Sequence, residues 1–506
     1  MPTTIRSHIF KKRPISPSNT VQDTFNALEP LYVDLDGTLT PVDTLHEALT
    51  EVLRSQPLAL PQALRSLLKG KSAFKATTAQ LASLDASTLP YNQHLLELLR
   101  AEKQKGRKLI LASAADIRIV RAVADYLQIF DDIIATNQHD ATNLSGANKQ
   151  AAIAAHAAAL GFTEYAYAGN SHDDLAVWEK ASLAIAVDTP ASVLKKLRQQ
   201  HSNIIEMVAA RQPLKVFLKS IRINNWSKNA LIFLPLLAAH CLEVPAWTQA
   251  LLAFLAFGLC ASGTYLINDL LDIPNDRSHP IKSKRPLASG RMPVLQGCAL
   301  SALLLAAAAV TALSLSPAFF LTLLIYTALT LSYSVKLKKI AILDILVLAF
   351  LYTIRIIAGG VASNIQISKW LLAISIFVFI SLALAKRCAE ITRIKNAGLA
   401  KIQGRGYFID DLETVRSMGI ASGFMSALVL ALYIESPTSF INYNYPELLW
   451  ITPPIFLAWI MRIWIKTGRN ELTGEDPLQF SLKDKPSWIC LSLIFIFASI
   501  AMVGEA

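Results

Sequence analysis

The rhythm of hydrophobic and polar positions changes along the chain. Residues 1–27 are polar, with basic Lys11, Lys12 and Arg13, and no 7–15-residue apolar stretch follows them, so no signal peptide is expected. Residues 28–205 mix charge and apolarity as a soluble domain does. A basic linker or interfacial segment, 206–228, then leads into long apolar stretches broken by short polar loops. A hydrocarbon core of about 30 Å takes about 20 apolar residues per helix. That rule predicts nine spans, at roughly 229–246, 247–268, 294–315, 317–333, 340–362, 368–388, 416–435, 446–466 and 486–504. The first is the poorest, because Pro235 and His240 interrupt it.

Charge in the loops gives an orientation. Nineteen Lys or Arg lie in or beside the loops after spans 2, 4, 6 and 8, against one, Lys369, in the loops after spans 1, 3, 5 and 7. The positive-inside rule places the basic loops in the cytoplasm, together with the N-terminal domain that enters through Lys215, Lys219, Arg222 and Lys228. An odd number of spans puts the C-terminus outside, and the expected location is the cell inner (plasma) membrane. This topology accounts for the net charge of +11, so nucleic acid is not an expected partner. Composition agrees: 53% hydrophobic and 17% charged residues, with mean hydropathy +0.40, exclude disorder and a small disulfide scaffold. The five cysteines have no CxxC spacing and read as small buried hydrophobes in a reducing setting.

The soluble part carries a phosphatase-like set. Leu31–Val33, a short apolar strand, runs into Asp34-Leu35-Asp36-Gly37-Thr38. Two carboxylates at i and i+2 on a strand-to-loop turn suit a nucleophile, Asp34, beside a general acid and base, Asp36. A second strand, Leu109–Ala112, ends in Ser113, a hydroxyl suited to a phosphoryl oxygen; Lys149 begins a helix and suits phosphate charge. Tyr165–Ala168 leads into Gly169-Asn170-Ser171-His172-Asp173-Asp174, whose carboxylates suit Mg²⁺. In this order the four elements resemble the haloacid-dehalogenase (HAD) superfamily over 28–205. The resemblance implies a doubly wound α/β fold, a small helical cap at about 44–92, an aspartyl-phosphate intermediate and Mg²⁺ held by Asp34, Asp36, Asp173 and Asp174. Asn170 departs from the family, which usually has Asp there.

The membrane part carries a diphosphate-type site at the end of span 2: Asn268-Asp269-Leu270-Leu271-Asp272-Ile273-Pro274-Asn275-Asp276. Asp269 and Asp272, three apart, are expected on one helix face, and Pro274 turns the chain to bring Asp276 round. Hard oxygen ligands clustered at a membrane border suit Mg²⁺ carrying a diphosphate, and Lys284 and Arg285 in the next loop suit its oxygens. NDxxDxxxD followed by a basic RPL segment resembles the UbiA superfamily of intramembrane prenyltransferases over 210–506, an all-α polytopic fold of about nine helices. The loop after span 6 holds no second DxxxD. Instead come Asn225-Trp226-Ser227-Lys228-Asn229, Tyr333-Ser334-Val335-Lys336, Ile354-Arg355 with Gly359-Gly360, and Lys386-Arg387-Cys388-Ala389-Glu390. This set resembles the polyprenyl-phosphate phosphoribosyltransferase branch, whose donor is phosphoribosyl pyrophosphate. Lys228, Lys336, Arg355, Lys386 and Arg387 are then candidate substrate ligands, beside Asn268. For Arg355 the other reading is an ion pair with Asp344; for Lys336, Lys386 and Arg387 it is snorkelling, and for Trp226 an interface anchor.

The leading expectation is a transferase that moves phosphoribosyl from a Mg²⁺-bound diphosphate donor to polyprenyl phosphate, with the HAD domain removing the 5-phosphate of the product. One alternative is a prenyltransferase moving a polyprenyl group from its diphosphate to an aromatic acceptor, with an independent or degenerate phosphatase domain. The other is a transporter or scaffold with an inactive HAD domain.

Overall fold

In the computed structural model, residues 29–136, 143–208, 213–398, 405–472 and 476–502 are described. The expected polar tail over 1–27 lies outside them. The chain forms two compact units: Met1–Pro213 together with Leu270–Leu295, and Leu214–Asp269 together with Gln296–Ala506.

The first unit holds six parallel strands: β1 (Leu31–Val33), β2 (Leu109–Asp116), β3 (Asp132–Thr136), β4 (Ala166–Gly169), β5 (Leu183–Val187) and β6 (Ile204–Met207). Their order is β3-β2-β1-β4-β5-β6. Central β1 pairs with β2 through Leu31↔Leu109 and with β4 through Leu31↔Ala166. All three of its residues are fully buried, as a strand covered on both faces requires. Strand order reverses at β1, so its carboxyl end opens onto the crevice where doubly wound sheets bind ligands. Between β1 and β2 lies the helical cap, with α1 (Thr44–Ser55) and α2 (Lys71–Leu81). Asp43 starts α1 by accepting the amides of Leu45 and His46. A third helix, α3 (Ala147–Ala159), follows β3.

In the second unit the helices long and apolar enough to cross a membrane number eight among the described residues: α4 (Val244–Leu271), α6 (Val294–Leu315), α7 (Pro317–Val335), α8 (Leu343–Ser363), α9 (Lys369–Asn396), α10 (Ile409–Ile434), α11 (Pro446–Gly468) and α13 (Lys485–Met502). Two short helices intervene, α5 (Ile273–Arg277) in the first unit and α12 (Pro477–Lys483) in the second. The expected first span, 229–246, takes another form. It begins as a 3₁₀ helix, Ile223–Phe233, continues as Leu234–Ala238 with Pro235 in the first turn, and stops before His240 at φ 51°. At about 2.0 Å per 3₁₀ residue and 1.5 Å per α residue, these two pieces reach about 30 Å. The segment packs among the long helices: Ile232 and Leu236 are fully buried. A Cβ at Gly359 would sit 2.0 Å from the Ile232 carbonyl oxygen, so Gly359 of α8 is what admits this backbone.

Candidate active sites

The turn after β1 places the soluble site. Gly37 has φ +76°, and a Cβ there would fall 2.0 Å from Asn170 Nδ2, so both its conformation and its neighbour require glycine. The Asn170 amide thereby lies against the Asp34–Asp36 turn. Lys149, the buried third residue of α3, donates to Asp34 Oδ1 (3.0 Å), to Asp174 Oδ1 (3.3 Å) and to Tyr167 OH (3.0 Å). Asp36 Oδ1 accepts the Thr44 amide at 2.8 Å, which ties the turn to the first residue of the cap. Ser113 lies within β2, which runs on to Asp116 past the expected strand end; it is buried and its Oγ accepts from Ala115 N (3.1 Å).

Burial is the main force on the two turn carboxyls. It pushes Asp34 up to about 7, with Lys149 opposing and Asp174 and Asp36 adding repulsion. It pushes Asp36 up to about 6, with Asp43 adding and the Thr44 amide opposing. Burial acts on Asp174 in the same sense, but Lys149 and its hydrogen bonds hold it below the ordinary carboxylate range. Paired carboxyls raised in this way are hungry for a cation.

The metal expectations change in detail. Asp173 is exposed, and Asp174 is fully buried and already committed. Besides Lys149, Asp174 accepts Tyr167 OH (2.6 Å), the amides of Asn170 and Ser171 (3.0 and 2.9 Å) and Ser171 Oγ (2.9 Å). Its role in this arrangement is to hold the Asn170 turn and Lys149 in place. Asp34 and Asp36, with the Asn170 amide beside them, are the donors a divalent ion would find. One contributor was invisible in the sequence: Lys75 of α2 reaches from the cap to Ala114 O (2.6 Å) and Asn143 Oδ1 (2.9 Å). Burial lowers its pKa, with Asp36 and Asp43 opposing.

In the acidic segment, α4 ends at Leu271, so Asp272 is the N-cap of α5 rather than a helical partner of Asp269. Asp269 is buried and accepts both Arg222 hydrogen bonds (2.5 and 2.6 Å), a pairing the linker supplies. Asp276, in the first unit, accepts from Arg285 (2.5 Å). Asn268 lies in the last turn of α4, and Lys284 is exposed in the short 3₁₀ turn Lys282–Lys284. In the same unit Arg277 donates to both oxygens of cap residue Glu47 (3.1 and 2.7 Å) and to Ala288 O (2.9 Å). Among the described residues no group of three or more His, Cys, Asp or Glu side chains gathers to hold a metal ion. A site with two carboxylates still suits Mg²⁺, which typically takes one or two carboxylates and completes its octahedron with water and substrate phosphate.

The basic residues of the second unit separate into two clusters. Asp344 is fully buried and pairs with Arg387 (2.7 Å) and Arg405 (3.3 Å), not with Arg355, and accepts Tyr407 OH (2.7 Å). Arg387, fully buried, also pairs with Glu390, so neither snorkelling nor a free substrate ligand describes it. Arg405 reaches Glu390 as well (3.4 Å), and the cluster balances two guanidinium groups with two carboxylates.

The other cluster surrounds Tyr352. Lys228 and Lys386 share Asp476 Oδ2 (2.9 and 3.2 Å), and Tyr352 OH donates to the same oxygen (2.7 Å). Asp476, on the turn before α12, escaped the sequence reading; burial alone would raise its carboxyl, but Lys386, Lys228 and the hydrogen bonds hold it far below the ordinary range. Arg355 lies over the same ring, 5.7 Å from its centroid, and Lys228 Nζ lies 5.6 Å from it. Lys336 stays apart, exposed at the end of α7. Trp226 is a packing residue: its indole donates to Ser262 Oγ (3.0 Å), and its ring fills the space a Cβ on Gly258 would enter.

Residues 230–477 match the UbiA prenyltransferase family, and residues 31–179 match the haloacid dehalogenase-like hydrolases. A Sinorhizobium fredii protein described as uncharacterized protein y4nM is 37% identical over 93% of this chain and 91% of its own length. The decaprenyl-phosphate phosphoribosyltransferase of Mycolicibacterium smegmatis is 37% identical over 57% of this chain and 91% of its own length. A solved UbiA homolog from Archaeoglobus fulgidus bound to GPP and Mg²⁺ aligns with 57% of this chain and 99% of that one, at 18% identity and TM-score 0.43.

Proposed function

Because this multi-pass membrane chain belongs to the UbiA prenyltransferase family through residues 230–477 and carries an HAD-like hydrolase domain over 31–179, we propose that it makes a lipid-linked ribose in two steps. In the first, phosphoribosyl passes from phosphoribosyl pyrophosphate to a polyprenyl phosphate; in the second, the HAD domain removes the 5-phosphate. The observation that carries the first step is the 37% identity to a decaprenyl-phosphate phosphoribosyltransferase across 91% of that protein.

In the transfer, an oxygen of the lipid phosphate forms the new bond to ribose C1 as the C1–pyrophosphate bond breaks. The acceptor is already an anion, so orientation matters more than deprotonation. Asp269, with Asn268 in the last turn of α4, would hold the divalent ion, Mg²⁺ in this reading. Bound there, the ion supplies charge neutralisation to the departing pyrophosphate. In the hydrolysis, Asp34 attacks phosphorus while Asp36 gives its proton to the departing ribose oxygen; Asp36 then takes a proton from the water that opens the aspartyl phosphate. Lys149 and Ser113 hold the phosphoryl oxygens, and Lys75 approaches from the cap. A second divalent ion between Asp34, Asp36 and Asn170 would neutralise the incoming phosphate.

The topology that goes with this reading counts Ile223–Ala238 as a crossing, nine in all, with the basic loops and the HAD domain in the cytoplasm, the C-terminus outside and the inner membrane as location. The test is to incubate membranes containing the protein with polyprenyl phosphate, Mg²⁺ and ribose-labelled phosphoribosyl pyrophosphate. Label in the lipid fraction supports the transfer, and its conversion to a phosphate-free form supports the hydrolysis. Label absent from the lipid, with prenylation of an aromatic acceptor instead, overturns both.

A further inference from the structure

Arg355 is a buried cation whose charge nothing described in the fold answers. It is 4% exposed, and its hydrogen bonds go to Asn229 Oδ1 (2.9 Å), Tyr326 OH (3.0 Å) and the Leu351 carbonyl, all neutral acceptors. Among the described residues no carboxylate pairs with it. Asn229, 1% exposed, turns its carbonyl oxygen to Arg355 and leaves Nδ2 buried with no acceptor. Next in sequence is Lys228, which shares Asp476 with Lys386. Around Tyr352, therefore, three cations meet one carboxylate, an excess of two positive charges, while the Asp344 cluster on neighbouring turns of α8 and α9 balances two against two. Desolvated charge without a counter-ion is strongly unfavourable. An orphaned amide donor beside an orphaned guanidinium has the complementarity of an anion with several acceptor oxygens. A phosphate monoester carries about −1.5 to −2 near neutral pH and three such oxygens.

We propose that Arg355, Asn229, Lys228 and Lys386 form a binding site for a phosphate monoester, with Asp476 and Tyr352 as positioning residues that hold the two lysines. The site deepens the transfer reading and rests on it for the identity of the ligand. Both substrates of that reading carry a monoester, the polyprenyl phosphate on its head and the donor on ribose C5, and the chemistry around Tyr352 is the same for either. Asp476 fixes where the lysines point: a single carboxylate oxygen gathers both, so neither is left to wander through the loop. The missing second acidic motif then has a physical reading. Where a second metal-binding cluster would attract a diphosphate through a cation, this chain presents its own cations directly.

The test uses the purified full-length protein in nanodiscs, with farnesyl phosphate, farnesol and ribose 5-phosphate as probes, and reads binding by ligand-induced shift of the unfolding temperature and by titration. Wild type is expected to bind at least one of the two monoesters, and farnesyl phosphate about tenfold or more tighter than farnesol if the lipid is the source. Tight ribose 5-phosphate binding with no difference between farnesyl phosphate and farnesol assigns the site to the donor. The key variant is Asn229→Asp, which is nearly isosteric and supplies Arg355 with the missing carboxylate. It is expected to raise the unfolding temperature of the ligand-free protein and to abolish monoester binding. Asp476→Asn makes the site more positive, and a purely electrostatic site would then bind tighter; a positioning role predicts about tenfold weaker binding, recovered in Asp476→Glu. Monoester affinities unchanged in Asn229→Asp, or absent from wild type, overturn the site. Failure of the transfer reading looks different: no labelled lipid from phosphoribosyl pyrophosphate, with monoester binding and its sensitivity to Asn229→Asp intact.

Discussion

The pocket at the end of β1 and the cluster around Tyr352 solve opposite problems with the same means. In the first, Asp34 and Asp174 flank Lys149, Asp36 follows on the same turn with Lys75 arriving from the cap, and the turn carboxyls are driven upward by burial. In the second, Lys228 and Lys386 share Asp476, and Arg355 lies over the Tyr352 ring beside them. One site has too many anions and invites a cation; the other has too many cations and invites an anion. The contrast with the balanced Asp344 cluster teaches that ionic residues of one fold serve different ends. A neutral network holds helices together, whereas a charged surplus is kept in readiness for something not yet bound.

The comparison breaks most sharply in Asp269→Ala. That substitution should cost transfer roughly a thousandfold or more, in line with the loss of an electrostatic group at the reacting centre, while phosphate release from added product persists. Radiolabelled lipid and free phosphate, measured on one preparation, check both. Asp34→Asn should do the reverse: transfer continues and the 5-phosphorylated lipid accumulates on thin-layer chromatography. Arg387→Gln tests the balanced cluster. It leaves Asp344 and Glu390 to share Arg405 alone, an excess of one buried negative charge, and should lower stability by about 3–5 kcal/mol, read by denaturation, whereas Arg355→Gln should leave stability nearly unchanged and weaken monoester binding.

Two smaller effects sharpen the soluble side. Asn170→Asp adds a carboxylate beside Asp34 and Asp36, and should lower the Mg²⁺ concentration for half-maximal phosphatase activity about tenfold, or about 1.4 kcal/mol. The pH dependence follows from the raised carboxyls. Between 3.8 and about 7 the folded Asp34 holds a proton that the unfolded chain has released, so in chelator the stability of this domain should fall as pH rises from 5 to 8. Asp174, held low, is ionised throughout that window and contributes no slope. Asp36, raised to about 6, adds to the slope below that pH, so Asp34→Asn should flatten the profile above about 6, and thermal unfolding at several pH values reads it.

The parts of the molecule legible in the sequence are those where chemistry and backbone are local. Asp34, Asp36, Ser113 and Asn170 follow short apolar strands, and a parallel sheet brings strand ends together whatever the spacing between them. Asp269 announced itself by charge at the end of an apolar helix. Asp476 did not, because an Asp before Pro477 is the ordinary start of a helix, and it does cap α12 through the Leu478 amide (3.2 Å). Its second role appears only when the fold brings Lys228, 248 positions away, to the same oxygen. Tyr326 and Tyr352 were hidden in apolar stripes, where a phenol counts as one more hydrophobe, and Lys75 sits on a cap helix with no motif. The alternative reading of Arg355, an ion pair with Asp344, does not form, because packing against α9 delivers Arg387 to that carboxylate. The segment 229–246 carries Pro235 and His240 as warnings against a regular span, and a 3₁₀ backbone starting at Ile223 covers the distance in fewer residues.

The division of the chain into units carries a consequence for anyone wishing to take the enzyme apart. Leu270–Leu295 belongs with the soluble unit, where Arg277 is bound to Glu47, although it is flanked on both sides by helices of the other unit. The backbone therefore passes from one unit to the other three times, near 213, 269 and 295. A single scission in the basic linker leaves two covalent threads uncut. A truncated soluble fragment ending there lacks a segment that helps complete its own fold, and a truncated membrane fragment begins life with that segment unmatched. Swapping the phosphatase for another would mean exchanging the loop of the transferase along with it, so the two activities are inherited as one piece.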